Sequence, residues 1–316
     1  MLSNLVFSFN AVIPLFMIIL LGFAVRKSGI IDAPTAKRMN ELAFKVAMPI
    51  MLFYSAHRSD FTEMLDARFI AFLAASIIAF FFICWAVAAK FLSDRKQKGA
   101  FVQGCFRGNY VILGVALVTE MLGYTPALTT TGVIIVVPLF NILSVIILTI
   151  YSDKRPKSKN IVLSILKSIA TNPLVIGICA GMGFSLTGAE IVPILGTPIS
   201  MISSVATPLA LLVIGASLDF SQIKERLTLT VVAGMFKLIL KPLIFLPLAI
   251  WFGISQEGIV VLFVLYAAPT AIASYVMAYN MGADEYLASN IVILTSLLSI
   301  VSYTVGVFIL RAVGLV

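Results

Sequence analysis

FRGNYVILGVAL (Phe106 to Leu117) and YAAPTAIASYVMAYNMG (Tyr266 to Gly282) each break an apolar run near its middle, and the two breaks occupy equivalent places in the chain. Tyr110 and Pro269 stand 159 positions apart. The same offset relates Pro14 to Pro173, Gly22 to Gly181, Pro34 to Pro193, Pro49 to Pro208, Asp60-Phe61 to Asp219-Phe220, Gly99 to Gly258 and Gly123 to Gly282. One constant offset in a chain of 316 residues reads as two copies of one unit, 1–158 and 159–316, with no insertion between them. Proline and glycine mark kinks, turns and close backbone approaches, so their coincidence implies a shared backbone geometry.

Composition places both copies in a membrane. Hydrophobic residues make up 61% and charged residues 11%, whereas a soluble domain carries about 25% charged residues. Runs long enough for a hydrocarbon core of roughly 30 Å are Leu5 to Val25, Asn40 to Ala56, Phe69 to Phe91, Gly99 to Leu122 and Ala127 to Ile150. The second copy gives Ile161 to Phe184, Ile194 to Leu218, Leu227 to Phe252, Gly258 to Met281 and Tyr286 to Leu310. The expected fold is an all-α polytopic membrane protein of ten transmembrane helices. Five spans per copy force the second to enter from the opposite side, so the repeats are inverted.

Met1 to Asn10 contains no Lys or Arg, so the first span lacks the positive region of a secretory signal and is read as retained. Arg26, Lys27, Lys37 and Arg38 lie in the first loop and Arg95, Lys96 and Lys98 in the third. Lys154, Arg155, Lys157 and Lys159 lie in the fifth, and Lys224 and Arg226 in the seventh. The positive-inside rule makes odd loops cytoplasmic and puts both termini outside the cell membrane. Loop two, mixing Arg58 and Arg68 with Asp60, Glu63 and Asp66, is the exception. Topology and lipid headgroups account for the net charge of +8, so no nucleic-acid partner is expected.

Nucleotide-binding glycine loops and paired Cys-x-x-Cys motifs are absent, so no cofactor is expected. Cys84, Cys105 and Cys179 read as small buried thiols, and His57 as a solvated interfacial histidine without metal-ligand spacing. No nucleophile, base and orienting acid stand together, which argues against an enzyme and leaves no catalytic residue to name.

Unwound backbone at mid-membrane is tolerated only where protein buries it or a cavity uses it. Gly108 and Asn109 in the fourth span and Pro269 in the ninth therefore predict two broken helices that cross, with kinked packing helices as the competing reading. Half-helix N-termini at such a crossing present about half an elementary charge each, which suits a carboxylate. Asn109 supplies donors and an acceptor, Thr270, Ser274 and Tyr275 supply hydroxyls, and Asn141 of the fifth span completes the pocket. Arg107, beside the break, can clamp a carboxylate with two donors or cap half-helix carbonyls. Charges at mid-bilayer cost about 2.5 to 3.5 kcal/mol on insertion scales. Lys237 and Lys241, deep in the eighth span, therefore either balance a substrate anion or cap exposed carbonyls. Lys45 lies near its span's cytoplasmic end and can snorkel. Aspartate and glutamate stay in loops or near span ends, Glu120 being the deepest, which disfavours coupling to sodium or protons through a carboxylate.

These residues also carry a family resemblance. GNYVILGVAL (Gly108 to Leu117), VPLFNIL (Val137 to Leu143), TPLALLVIGASLDF (Thr207 to Phe220) and APTAIASYVMAYNMGAD (Ala268 to Asp284) resemble segments of the auxin efflux carrier family. The likeness extends over essentially the whole chain, and Asn109, Tyr110 and Pro269 fall in its crossover segments. It implies the fold of sodium/proton antiporters and bile-acid symporters. Helices 1, 2, 6 and 7 would form a scaffold and dimer surface, and helices 3–5 and 8–10 a moving transport domain. A homodimer exporting a small organic anion by an elevator movement is the resulting expectation. The competing readings are a membrane ligand sensor using the same pocket and a proton-coupled carboxylate symporter.

Overall fold

Aspartates that the sequence keeps at span ends act as helix caps. In the computed structural model, which describes residues 14, 17–58, 66–110, 115–122, 124, 126–152, 166–167, 169–217 and 220–315, Asp32 caps α2 (Ala33–Leu42) through the Thr35 amide at 2.7 Å. Asp66 caps α4 (Ala67–Phe91), Asp94 caps α5 (Arg95–Phe106) and Asp284 caps α14 (Glu285–Ala312). Each carboxylate satisfies amides that have no intrahelical partner, and its charge favours the positive end of the helix dipole.

Residues 17–27 form α1. Further helices are α3 (Met48–His57), α6 (Val115–Leu122), α7 (Ala127–Tyr151), α8 (Pro173–Leu186), α9 (Pro193–Ala216), α10 (Phe220–Met235), α11 (Lys241–Trp251), α12 (Gln256–Ala267) and α13 (Ala273–Met281). Two π-helical turns, Ala43–Ala47 and Phe236–Leu240, join α2 to α3 and α10 to α11. Each precedes a proline at the second position of the next helix, Pro49 or Pro242. The missing proline N–H prevents a regular turn, so Met48 and Lys241 reach back five residues to the carbonyls of Ala43 and Phe236.

Among the described residues, five helical segments are long and apolar enough to cross a membrane: Ala67–Phe91, Ala127–Tyr151, Pro193–Ala216, Glu225–Trp251 and Glu285–Ala312. They match the expected spans three, five, seven, eight and ten to within a few residues. The second helix begins at Ala33 rather than Asn40, because a polar amphipathic turn precedes the apolar run. Spans four and nine are each split into two short helices. About half of the first span, the start of the sixth, the loop charges at 59–65 and 153–160, Gly114, Gly123, Asp219 and the Glu120 side chain fall outside the described residues. Cys84 and Cys105 are buried, but Cys179 is exposed on α8, against the expectation of three buried thiols. His57 packs between the rings of Phe53 and Phe184 rather than standing free in solvent.

The most buried helices are the short ones before the breaks. Gly99 to Phe106 in α5 and Gly258 to Ala267 in α12 are buried on every face, as expected of helices that run through the interior. The longer α4, α9 and α14 turn Phe82, Met201 and Val301 outward.

α3 and α8 form the most extensive helix contact. A Cβ added at Gly181 of α8 would overlap the carbonyl of Phe53, and one at Gly22 of α1 would overlap that of Leu212. Gly22 and Gly181, and likewise Phe53 and Leu212, are separated by the same 159 positions. Gly183, on the same helix as Gly181, has open space where its Cβ would be. Gly181→Ala should therefore lower the melting temperature of the purified protein by several degrees, since overpacking costs about 1–3 kcal/mol. Gly183→Ala should leave it unchanged or slightly raised. Equal effects of the two would remove the close-approach explanation.

Candidate functional site

The two interruptions lie against each other. α5 ends at Phe106 and the chain turns extended at Arg107 (φ −79°, ψ 125°), while α12 ends at Ala267 and turns extended at Ala268 (φ −58°, ψ 137°). Gly108 and Thr270 form an antiparallel bridge, and the Asn109 amide donates to the Pro269 carbonyl at 2.8 Å. Thr270 donates its hydroxyl to the Gly104 carbonyl at 2.7 Å and its amide to Thr295 Oγ1 at 3.0 Å. Backbone groups released by the breaks thus find partners inside the protein, which makes irregular chain tolerable at this depth.

Beside the crossing lies a cavity of about 110 Å³. Arg107, Asn109 and Tyr110 form one wall and Asn141 of α7 another. Ala271 to Ala273, at the start of α13, line a third side, and Met48, Met51 and Thr207 close it from α3 and α9. Ile272, the N-cap of α13, offers no side-chain cap; the Ser274 and Tyr275 amides bond the carbonyls of Ala271 and Ile272, and the start of α13, with the positive end of its dipole, lines the cavity.

Arg107 is only 4% exposed. Its guanidinium donates to Asn141 Oδ1 at 3.0 Å, to Ser144 Oγ at 3.5 Å and to the sulfur of Met277. Every one of these partners is neutral. Asn141 donates in turn to the Val137 carbonyl at 2.8 Å, which fixes its amide with the oxygen towards Arg107. The Asn109 side chain lines the cavity and makes no hydrogen bond to another described residue, leaving its amide free for a guest. A cation, an open amide and an uncapped helix start converge on one small space, which is the chemistry of an anion site.

Six residues expected at the site lie outside the cavity lining. Pro269 and Thr270 are occupied by the crossing itself. Ser274 is buried in the first turn of α13, and its hydroxyl has no partner among the described residues. Tyr275 points to the end of α9, donating to Ser217 Oγ at 2.8 Å. Lys241 donates to the Phe106 carbonyl at 3.1 Å, which is the capping alternative. Lys237, fully buried, places its ammonium behind Gly108, 2.9 Å from where a Cβ would stand.

Residues missed from the sequence are Ser144, Met277, Met48, Met51 and Thr207. Ser144 follows Asn141 by three positions and so shares its helix face. Met48 and Thr207 are themselves 159 positions apart, a signal that was available but not used. Met51 and Met277 carry no sequence mark of their role. Among the described residues no group of three or more His, Cys, Asp or Glu side chains could hold a metal ion.

The chain is similar to proteins named as transporters along nearly its full length. It is 22% identical over 303 residues to an "Uncharacterized transporter" of Methanothermobacter thermautotrophicus, covering 93% of this chain and 96% of that one. It is 24% identical over 308 residues to the "Putative malonate transporter" of Rhizobium meliloti, covering 95% of each. The family described as "Membrane transport protein" matches residues 7–307. These likenesses are to membrane transporters rather than enzymes, and the chain therefore belongs to the membrane transport protein family, that of the auxin efflux carriers.

Proposed function

We propose that this protein exports a small organic anion, a carboxylate, across the cell membrane, and that Arg107, Asn109, Asn141 and the start of α13 bind it. The observation that carries this reading is a buried guanidinium at the cavity whose described partners are all neutral. A carboxylate guest would supply the missing countercharge through a charge-assisted, two-pronged contact. The volume of about 110 Å³ favours a short-chain acid over an indole or sterol acid. The relative named for malonate is in keeping with that class.

The cavity's walls come from two groups of helices. α1–α3, α8 and α9 are assigned to the scaffold, and α4–α7 with α10–α14 to the transport domain. The cavity then lies on their boundary, where an elevator movement would expose it to each side in turn. The paired contacts of Gly22 and Gly181 support an inverted-repeat arrangement of ten spans. With both termini outside, α13 packs towards α2 and the end of α9 on the cytoplasmic side. A smaller hollow, sharing Ser55 and Val137 with the cavity, continues it outward.

An inside-negative potential of 100 mV favours export of a monovalent anion by about 2.3 kcal/mol. Liposomes on a solid-supported membrane should give saturable currents with one class of mono- or dicarboxylate, lost in Asn109→Ala. Efflux of the preloaded acid should slow when the potential is collapsed. Efflux indifferent to the potential would overturn electrogenic export, and silence across the panel from folded protein that the acids still stabilise would favour electroneutral coupling or ligand sensing instead.

A further inference from the structure

Lys241 has no exposed surface, yet its charge is not left alone. Its ammonium donates to the Phe106 carbonyl at 3.1 Å and sits 5.6, 5.3 and 5.2 Å from the ring centroids of Phe80, Phe140 and Tyr266. The rings come from α4, α7 and α12 and are held in place. Tyr266 is hydrogen-bonded to Ser76 at 2.6 Å, and Phe245 packs on both Phe80 and Tyr266. Three aromatic faces and a carbonyl around one ammonium make a cation cage.

The position of the cage gives it a role. Phe106 is the last residue of α5, so its carbonyl belongs to the negative end of a half-helix inside the protein. In carriers built on broken helices, such ends and the unwound carbonyls beside them coordinate the coupling cation. Here the neighbouring carbonyls are also taken by the chain's own donors, Gly104 by the Thr270 hydroxyl and Gln103 by the Arg107 amide.

We infer that Lys241 is a built-in counter-cation, whose tethered ammonium fills the cation position of the crossover, so that the cycle proceeds without bound sodium or potassium. A tethered charge cannot leave the site, and no gradient of small cations can then drive the cycle through it. The transport clause rests on the function proposed above, whereas the filled cage does not.

The test therefore reads melting temperature first, on the full-length protein in nanodiscs without substrate. Wild type should melt at the same temperature in N-methylglucamine, sodium, potassium and methylammonium chlorides of equal ionic strength. Lys241→Ala should melt several degrees lower in N-methylglucamine and be restored, saturably, by methylammonium, which fits the vacated cage. Lys241→Arg should need no added cation. Wild type stabilised by sodium or potassium would overturn the proposal, even if the alanine variant cannot be purified. An alanine variant indifferent to every small cation would overturn it as well. Wild-type currents equal in sodium and N-methylglucamine complete the prediction, and their total absence would count against the transport reading alone.

Discussion

Arg107→Ala should abolish carboxylate-induced stabilisation and reduce transport at least 30-fold. Losing one partner of a buried, hydrogen-bonded charge pair costs about 2–5 kcal/mol, and each 1.4 kcal/mol is roughly tenfold in affinity. The effect belongs at the upper end because the described partners of the Arg107 charge, Asn141, Ser144 and Met277, are all neutral. Arg107→Lys keeps the charge but loses the planar fork that reaches Asn141 and Ser144 together, so it should retain weakened transport, about tenfold down. Asn109→Asp should be as severe as the alanine change at Arg107, since it would set a carboxylate at the same cavity wall and neutralise the site from within. Substrate-dependent melting shifts and currents on all three variants check the prediction. An Arg107→Ala protein that folds with unchanged half-saturation would remove the guanidinium from the binding site, whereas an Arg107→Lys protein that folds and binds no acid would make the planar fork, rather than the charge alone, the requirement.

The features legible in the sequence were those fixed by the backbone. A glycine-asparagine pair or a proline in an apolar run leaves few options for the chain at that depth, and both breaks fall where Gly108 and Pro269 stand. Aspartates at run ends were equally readable once understood as caps. The direction of side chains on the broken segments was not readable. Thr270 and Ser274 leave a short extended bridge rather than a continuous helix, so no 3.6-residue period assigns them a face. Thr270 turns to Gly104 and Tyr275 to Ser217 because of tertiary neighbours that spacing cannot reveal. The start of the second helix was missed for a different reason: Lys37, Arg38 and Asn40 lower the hydropathy of a turn that nonetheless continues the same helix. The two lysines of the eighth span were found by their depth, but depth alone left both with the same two alternatives.

Their surroundings instead predict opposite effects from the same substitution. Lys241→Met should lower the melting temperature, because the Phe106 carbonyl loses its donor and the three rings lose their cation. Lys237→Met should raise it by several degrees while weakening anion binding about 30-fold. The Lys237 ammonium is fully buried, has no hydrogen-bond partner among the described residues, and lies one turn from the like charge of Lys241. Its neighbours include the thiols of Cys84 and Cys105, which offer little compensation. Replacing a buried ion with an apolar side chain of similar volume is often neutral or stabilising by about 1–4 kcal/mol. A charge kept at such a cost needs a benefit elsewhere, and Gly108 indicates where. This glycine both lines the cavity and stands against the ammonium, with only backbone between them. At roughly 8 Å and an effective dielectric near 20, a unit charge stabilises a bound anion by about 2 kcal/mol. Melting curves and substrate titrations on Lys237→Met separate the two contributions. A lower melting temperature with unchanged affinity would make Lys237 a structural residue, whereas higher stability with weaker binding identifies a charge maintained for the anion at the expense of the fold.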